Sequence, residues 1–292
     1  MYIAYYQNPN NYVSIYGYEG IGAQYQRIVA LIAIARRHNF KFIHFPIMVG
    51  HNCNNDPEWN EKWEKMFNIK KLANNDEVDY TKLEKKETPF IEDIKLDQLL
   101  EDNINKTNVL NYYHLPFKIF DSNPDYYLSC VQKDIIDAYN EVNSTRELIY
   151  DKTKTNIAIH IRVFNNYDTK KDYENFLNNI KNERHYMSDD KYIKYINILK
   201  LNYPNSDIHI FSQKNTFDVH FAKLRELKDI KLHFDEIDTF DTFHHLCKAD
   251  VLCLGTSSFS ILAGFYNKNT VIHLPYCHPP SLKSWLCYNP FN

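Results

Sequence analysis

The feature that most constrains this chain is a rhythm in its second half. Short runs of β-branched and aromatic residues recur at residues 156–162 (NIAIHIR), 207–212 (DIHIFS), 230–233, 250–254 (DVLCL) and 270–274. Between them lie segments patterned as helices. Ser188 followed by Asp189 and Asp190 marks a helix start that continues over 192–201, and further helices are predicted over 218–227, 238–248 and 258–267. Strands separated by helix-length crossovers imply a parallel sheet covered on both faces, and so an α/β fold.

The first half opens the same way and then departs from it. Residues 2–6 (YIAYY) read as a strand, followed by a polar stretch and the cluster Gly20-Ile21-Gly22-Ala23-Gln24. From Gln24 a helical pattern places Ile28, Leu31, Ile32 and Ala35 on one face. Arg36, Arg37 and His38 crowd its C-terminal end, where cations suit the helix dipole. Residues 40–47 (FKFIHFPI) read as a second strand. Residues 51–105 break the rhythm: Trp59, Trp63 and Phe67 stand four apart and predict an amphipathic helix, while charged runs around them mark an insertion. Residues 108–113 read as a strand and 131–142 as a helix. The rhythm restarts after the charged stretch 151–155. The expected organisation is a first domain over 1–150 with an insertion at 51–105, and a second over 151–292. A length of 292 residues accommodates two such domains, each with a core of its own.

Charge and cysteine usage narrow the function classes. Net charge is −3, and lysines are interleaved with Asp and Glu instead of forming the basic stripe of a nucleic-acid binder. None of the six cysteines sits in a C-x-x-C pair or at zinc-ligand spacing, which reads as a reduced protein with inert thiols. Residues 1–6 run directly into polar 7–11 without a signal-peptide pattern. No apolar run approaches the roughly 18–20 residues of a membrane helix, so a soluble, cytoplasmic protein is expected.

Only six glycines occur, so two close together stand out. Gly20-Ile21-Gly22-Ala23-Gln24 falls between a strand and a helix, where glycine permits close backbone approach and the helix start favours anions. A dinucleotide fingerprint would need glycine at position 25, which is Tyr25. It would also need an acid after the second strand, where His44-Phe45-Pro46 stands. The second motif, His160-Ile161-Arg162, ends the strand that opens the second half. Ligands of open α/β sheets bind beyond such strand ends, and the guanidinium fork matches phosphate oxygens. The third, Gly255-Thr256-Ser257-Ser258-Phe259-Ser260, lies between a strand and a helix and offers hydroxyls and helix-start amides to an anion. Each has an ordinary alternative: a tight turn, a surface Arg beside a core His, and a helix N-cap at Ser257 or Ser258.

In order and spacing, the three motifs together resemble the fucosyltransferase superfamily of α1,2-, α1,6- and protein O-fucosyltransferases. The longest resemblance runs over 241–266, from Asp241 through the serine turn. The resemblance covers about the first 47 residues and most of 156–275. This chain departs from the family pattern after Phe211-Ser212, where Gln213 and Lys214 replace an acidic pair, and after Arg162, where Val163 stands.

The resemblance implies a GT-B-like fold, two Rossmann-like domains facing across a cleft. It also implies an inverting transfer of L-fucose from GDP-β-L-fucose to a glycan hydroxyl. Implied donor-binding residues are Gly20, Gly22, Ala23, Gln24, His160, Arg162, Ser212, Gln213, Asp241, Thr256, Ser257, Ser258, Phe259 and Ser260. Arg162 would stabilise the leaving diphosphate, with Glu183 or Asp168 as the base. No Asp-x-Asp motif sits in a plausible loop, so no metal and no cofactor beyond the donor are expected. The implied partners are a nucleotide-sugar donor and a glycan acceptor, with no nucleic acid and no membrane span. Two alternatives stay open: a GT-B transferase using a different nucleotide sugar, and a non-catalytic nucleotide- or glycan-binding relative.

Overall fold

The computed structural model describes residues 2–5, 20–47, 57–87, 109–113, 117–162, 188–212, 221–234, 237–274 and 282–289. Contacts divide the chain into two compact units, Met1–Thr145 and Arg146–Asn292. Both are α/β, and every strand pairing in either sheet is parallel, as the alternation of elements requires.

Unit 1 contains β1 (Tyr2–Tyr5), α1 (Ile21–Arg37), β2 (Lys41–Ile43), α2 (Pro57–Phe67), β3 (Glu84–Glu87), β4 (Val109–Tyr113), α3 (Phe117–Ser122), α4 (Pro124–Leu128) and α5 (Gln132–Asn143). Its sheet has the order β2-β1-β4-β3. Helix α1 begins at Ile21, one turn earlier than its apolar pattern indicates. Gly20 is its N-cap, and the Gly20 carbonyl accepts from Ala23 N at 3.0 Å. Gly22, Ala23 and Gln24 are therefore helical residues, not a loop. Burial is continuous from Gln24 to Ala35, because α1 packs on β1 and β2 and is also covered by α3 and α4. Arg37, at its C-terminal end, donates from Nε to the Tyr126 carbonyl at 2.7 Å and lies over the Tyr126 ring, which ties α4 to α1.

The stretch expected to be an insertion supplies core. From α2, Trp63 and Phe67 are fully buried, and the Phe67 ring packs at a tilt with its centroid 4.0 Å from that of Tyr25 of α1. Asn143 of α5 donates to the Met66 carbonyl at 2.8 Å. Strand β2 is shorter than 40–47 because side chains take over its hydrogen bonding. Asn74 Oδ1 accepts from Phe42 N at 3.1 Å, and Asn75 both accepts from His44 N and donates to His44 O.

Unit 2 contains β5 (Thr155–His160), α6 (Asp189–Asn202), β6 (Ser206–Ser212), β7 (Ile230–Phe234), α7 (Thr239–Lys248), β8 (Val251–Cys253), α8 (Ser258–Tyr266), β9 (Thr270–His273) and β10 (Leu286–Cys287). The sheet order is β10-β9-β8-β5-β6-β7. Ile157, Ile159, Ile208, Ile210, Val251 and Cys253 form its core with Tyr195, Ile196 and Leu199 of α6. The helix predicted over 218–227 is absent from the described part of that stretch, which holds only a 3-10 turn at Leu224–Glu226. The Asp189 carboxylate accepts from Phe221 N at 3.3 Å and Lys223 N at 3.1 Å. That clamp holds Phe221 at φ 73, a left-handed conformation that no helix can pass through.

Candidate functional site

The strand order of unit 2 fixes where a ligand can sit. From β5 the chain steps outward to β6 and β7, then crosses to the other side of β5 and continues through β8, β9 and β10. Numbered from its first strand, this is the order 3-2-1-4-5-6 of doubly wound nucleotide-binding sheets. The direction reverses between β5 and β8. In doubly wound sheets, ligands bind beyond the carboxyl ends of the strands at such a reversal. Two of the three sequence motifs flank that reversal.

His160 ends β5, with Ile161 and Arg162 just beyond it. Ile161 N donates to Phe211 O at 2.9 Å, and the Ser212 hydroxyl donates to Ile161 O at 2.8 Å, so the strand end is anchored to β6. Across the reversal, Leu254 N donates to Ile272 O at 2.8 Å, and Gly255 follows. A Cβ at Gly255 would lie 2.4 Å from the His160 carbonyl oxygen and 3.1 Å from His160 Nδ1. Only glycine lets the serine turn approach β5 this closely.

The turn leads into α8. Ser257 caps the helix, its hydroxyl accepting from Phe259 N at 3.3 Å, and no acidic residue occupies the first turn. Amides at a helix start lack intrahelical acceptors and carry the positive end of the dipole. Ser260 is wholly buried, and its hydroxyl donates to Gly255 O at 3.2 Å and Ser257 O at 3.1 Å, which fixes the shape of the turn. Ser258 is exposed, and Thr256 and Ser257 are half-buried.

Beside them the His160 ring is buried 5.6 Å from Phe259, and its Nδ1 has no hydrogen-bond partner. Burial, followed by the Arg162 charge, pushes its pKa down to about 3, so the ring is neutral at physiological pH. The only formal charge on the His160-Ile161-Arg162 segment is then Arg162, half-buried at the mouth of β5. At the reversal, a neutral imidazole thus stands beside a helix start that carries no acidic residue in its first turn, and a helix start of that kind suits an anion.

The remaining predicted residues fall as follows. Gly20, Gly22, Ala23 and Gln24 belong to unit 1, at the start of α1. Asp241 lies in the first turn of α7, which Asp238 caps by accepting from Asp241 N at 2.7 Å, and its carboxylate forms an ion pair with Arg146. Asp168, Glu183 and Gln213 lie outside the described residues. Among the described residues no cluster of His, Cys, Asp or Glu suits a metal ion, and no helix is long and apolar enough to cross a membrane. What the sequence missed is the contact between Gly255 and His160, since nothing in either motif alone announces that they touch.

No protein-family profile matches the chain, and no curated protein matches it by sequence. Solved structures do. The apo form of POFUT1 is similar with a TM-score of 0.47 at 12% identity, over 92% of this chain and 95% of that one. POFUT1 in complex with GDP-fucose is similar at the same score and identity, over 92% and 94%. A UDP-forming trehalose-phosphate synthase from Burkholderia xenovorans is similar with a TM-score of 0.31 at 10% identity, over 92% and 68%.

Proposed function

We propose that this chain is an inverting, metal-independent glycosyltransferase that moves L-fucose from GDP-β-L-fucose to a glycan hydroxyl. The observation that carries the reading is the meeting of His160-Ile161-Arg162 and the serine turn at the strand-order reversal of unit 2. These are two of the three motifs that resemble the fucosyltransferases.

In this reading the donor diphosphate lies against Arg162 and the start of α8, with Thr256, Ser257 and Ser258 supplying hydroxyls. As the acceptor oxygen bonds to the anomeric carbon from the opposite side, the bond to the β-phosphate oxygen breaks and its electron pair leaves with GDP. Negative charge grows on the diphosphate, which Arg162 and the helix start would stabilise. The acceptor's proton goes to a base, for which Glu183 and Asp168 are the candidates. Ser260 and Gly255 shape the turn and need not touch the donor.

One observation favours a second reading, a transferase with a different nucleotide sugar. The Ser212 hydroxyl is committed to the Ile161 carbonyl, and Gln213 replaces the family's acid beside it. The test is release of nucleotide from GDP-fucose, GDP-mannose, UDP-glucose, UDP-galactose and CMP-sialic acid, with a pooled glycan acceptor and EDTA present. Turnover of GDP-fucose above the others supports the first reading, and turnover of another donor selects the second. GDP binding without any turnover points to a non-catalytic relative.

A further inference from the structure

Unit 1 holds an open cavity that the reading above does not use. It has a volume of about 460 Å3 and lies at the amino ends of β1 and β2, where Tyr2 and Lys41 are register partners. Ligands of open α/β sheets bind at the opposite, carboxyl end, so the fold alone predicts no site here. One wall is the end of α1. His38 N donates to Ile34 O at 3.0 Å and Phe40 N to Ala35 O at 2.8 Å, with Asn39 between them in the left-handed region at φ 55. A helix end of this type sets the residue after the left-handed one against the last turn, and Phe40 and Ala35 both line the cavity.

Two cations line the same cavity, Arg36 from the last turn of α1 and Lys41 from the start of β2. Each has a carboxylate partner. Arg36 Nη1 lies 3.0 Å from Asp134 of α5, and Lys41 Nζ donates to Glu77 at 2.8 Å. Glu77 also accepts from Asn74 Nδ2 at 2.9 Å, while Asn74 Oδ1 accepts from Phe42 N at 3.1 Å. Neither carboxylate is among the residues lining the cavity, whereas Asn74 is. A guanidinium has five N–H donors and an ammonium three, so each cation keeps donors for a ligand. Asn74 keeps one amide proton and one lone pair. Both ion pairs are about half exposed, and pairs of that kind are weak, so they orient the cations and a ligand anion can compete with them.

Tyr2 and Phe40, half-buried, and Phe42, buried, add aromatic surface to the lining. We propose that this cavity binds an acidic saccharide, a sugar ring that carries a carboxylate. The carboxylate meets Arg36 and Lys41, a hydroxyl meets the Asn74 carboxamide, and the C–H face of the ring packs on the aromatic residues. The volume falls within the roughly 300–1,000 Å3 of small-molecule sites. Only the choice of a saccharide over other organic anions rests on the glycosyltransferase reading; the cavity and its charge do not.

The test is NMR on the full chain labelled with 15N-phenylalanine, the Phe40 amide being assigned by the signal lost in Phe40→Tyr. The probes are the methyl glycosides of glucuronate and galacturonate, their neutral counterparts methyl glucoside and methyl galactoside, and benzoate. Expected is a saturable shift of the Phe40 signal with at least one acidic glycoside, and affinity at least about tenfold weaker for its neutral counterpart. Arg36→Gln and Lys41→Gln should each weaken that binding about three- to tenfold, and added salt should weaken it in wild type. No shift with either acidic glycoside, equal affinity for the neutral ones, benzoate binding as tightly, or affinity unchanged in both variants overturns the proposal. Because the wild-type panel can overturn it alone, poor folding of a variant does not shield it. GDP titration of the same sample separates the two claims: glycoside binding without GDP binding sinks only the donor reading, and the reverse sinks only this one.

Discussion

At the scale of single residues, the site proposed in unit 2 divides into groups that would meet charge and groups that hold shape. Arg162 would be of the first kind. Lysine in its place keeps a charge but loses the planar fork, so the change is not conservative. Arg162→Lys and Arg162→Ala should lower kcat by about 10²–10³-fold, with a smaller loss of GDP affinity, because leaving-group charge is greatest in the transition state. Transfer rate, GDP affinity and melting temperature, measured together, check this; an Arg162→Ala protein that transfers at the wild-type rate would falsify the assignment. The serines divide in the same way. Ser260 is buried and bonded to two carbonyls, so Ser260→Ala should cost about 0.5–1.5 kcal/mol of stability. Ser258 is exposed, so Ser258→Ala should leave stability within about 0.5 kcal/mol and act on donor affinity instead. Urea unfolding and GDP titration of both variants separate the two effects, and equal stability losses with unchanged binding would make the turn a helix cap only.

At the scale of elements, legibility tracked apolar pattern. The strands of unit 2 could be read because parallel strands buried on both faces become runs such as the one in β5, where Asn156 through His160 are all buried. Helix α2 could be read from its aromatic spacing. Its place in the fold could not, because packing against α1 and α5 is a long-range fact. Trp63→Ala should therefore unfold unit 1 at lower urea, at a cost of about 3–5 kcal/mol, where a peripheral insertion would lose little. Strand β3 reads EKKE and gave no strand signal. It is an edge strand, where charge is tolerated and guards against further pairing. The helix expected over 218–227 is absent over the described residues 221–227 for the opposite reason: a local pattern was present, but the Asp189 carboxylate takes the amides of Phe221 and Lys223. In the candidate site, the motifs were visible as residue types, whereas the approach of Gly255 to His160 depends on β8 pairing with β5 across a long stretch of chain.

At the scale of the whole molecule, buried histidines make the two units unequal in acid. Burial, then the Arg162 charge, lowers His160 to about 3; burial, then His233, lowers His209 to about 3; burial, then Lys248, lowers His244 to about 4. All three lie in unit 2. Their unfolded values are near 6.5, so above that pH neither state binds a proton and stability is flat. Below it the unfolded chain takes up protons that the folded one refuses. Stability then falls as pH drops from about 6.5 towards 3–4, by about 1.4 kcal/mol per pH unit for each histidine. Calorimetric scans between pH 7.5 and 5 should show the unit-2 transition moving down and separating from that of unit 1. Parallel shifts of both transitions would contradict this assignment.

The claim on which the rest depends is that the strand-order reversal of unit 2 binds a nucleoside diphosphate. Titration calorimetry with GDP, UDP and CMP in the presence of EDTA, on wild type, Arg162→Ala and Gly255→Ala, tests it most directly. GDP should bind with the highest affinity, and Arg162→Ala should weaken it without lowering the melting temperature. Gly255→Ala should weaken it as well, because a Cβ there collides with the His160 carbonyl. The contradicting result is a wild-type protein that binds no nucleotide, or GDP affinity unchanged in both variants.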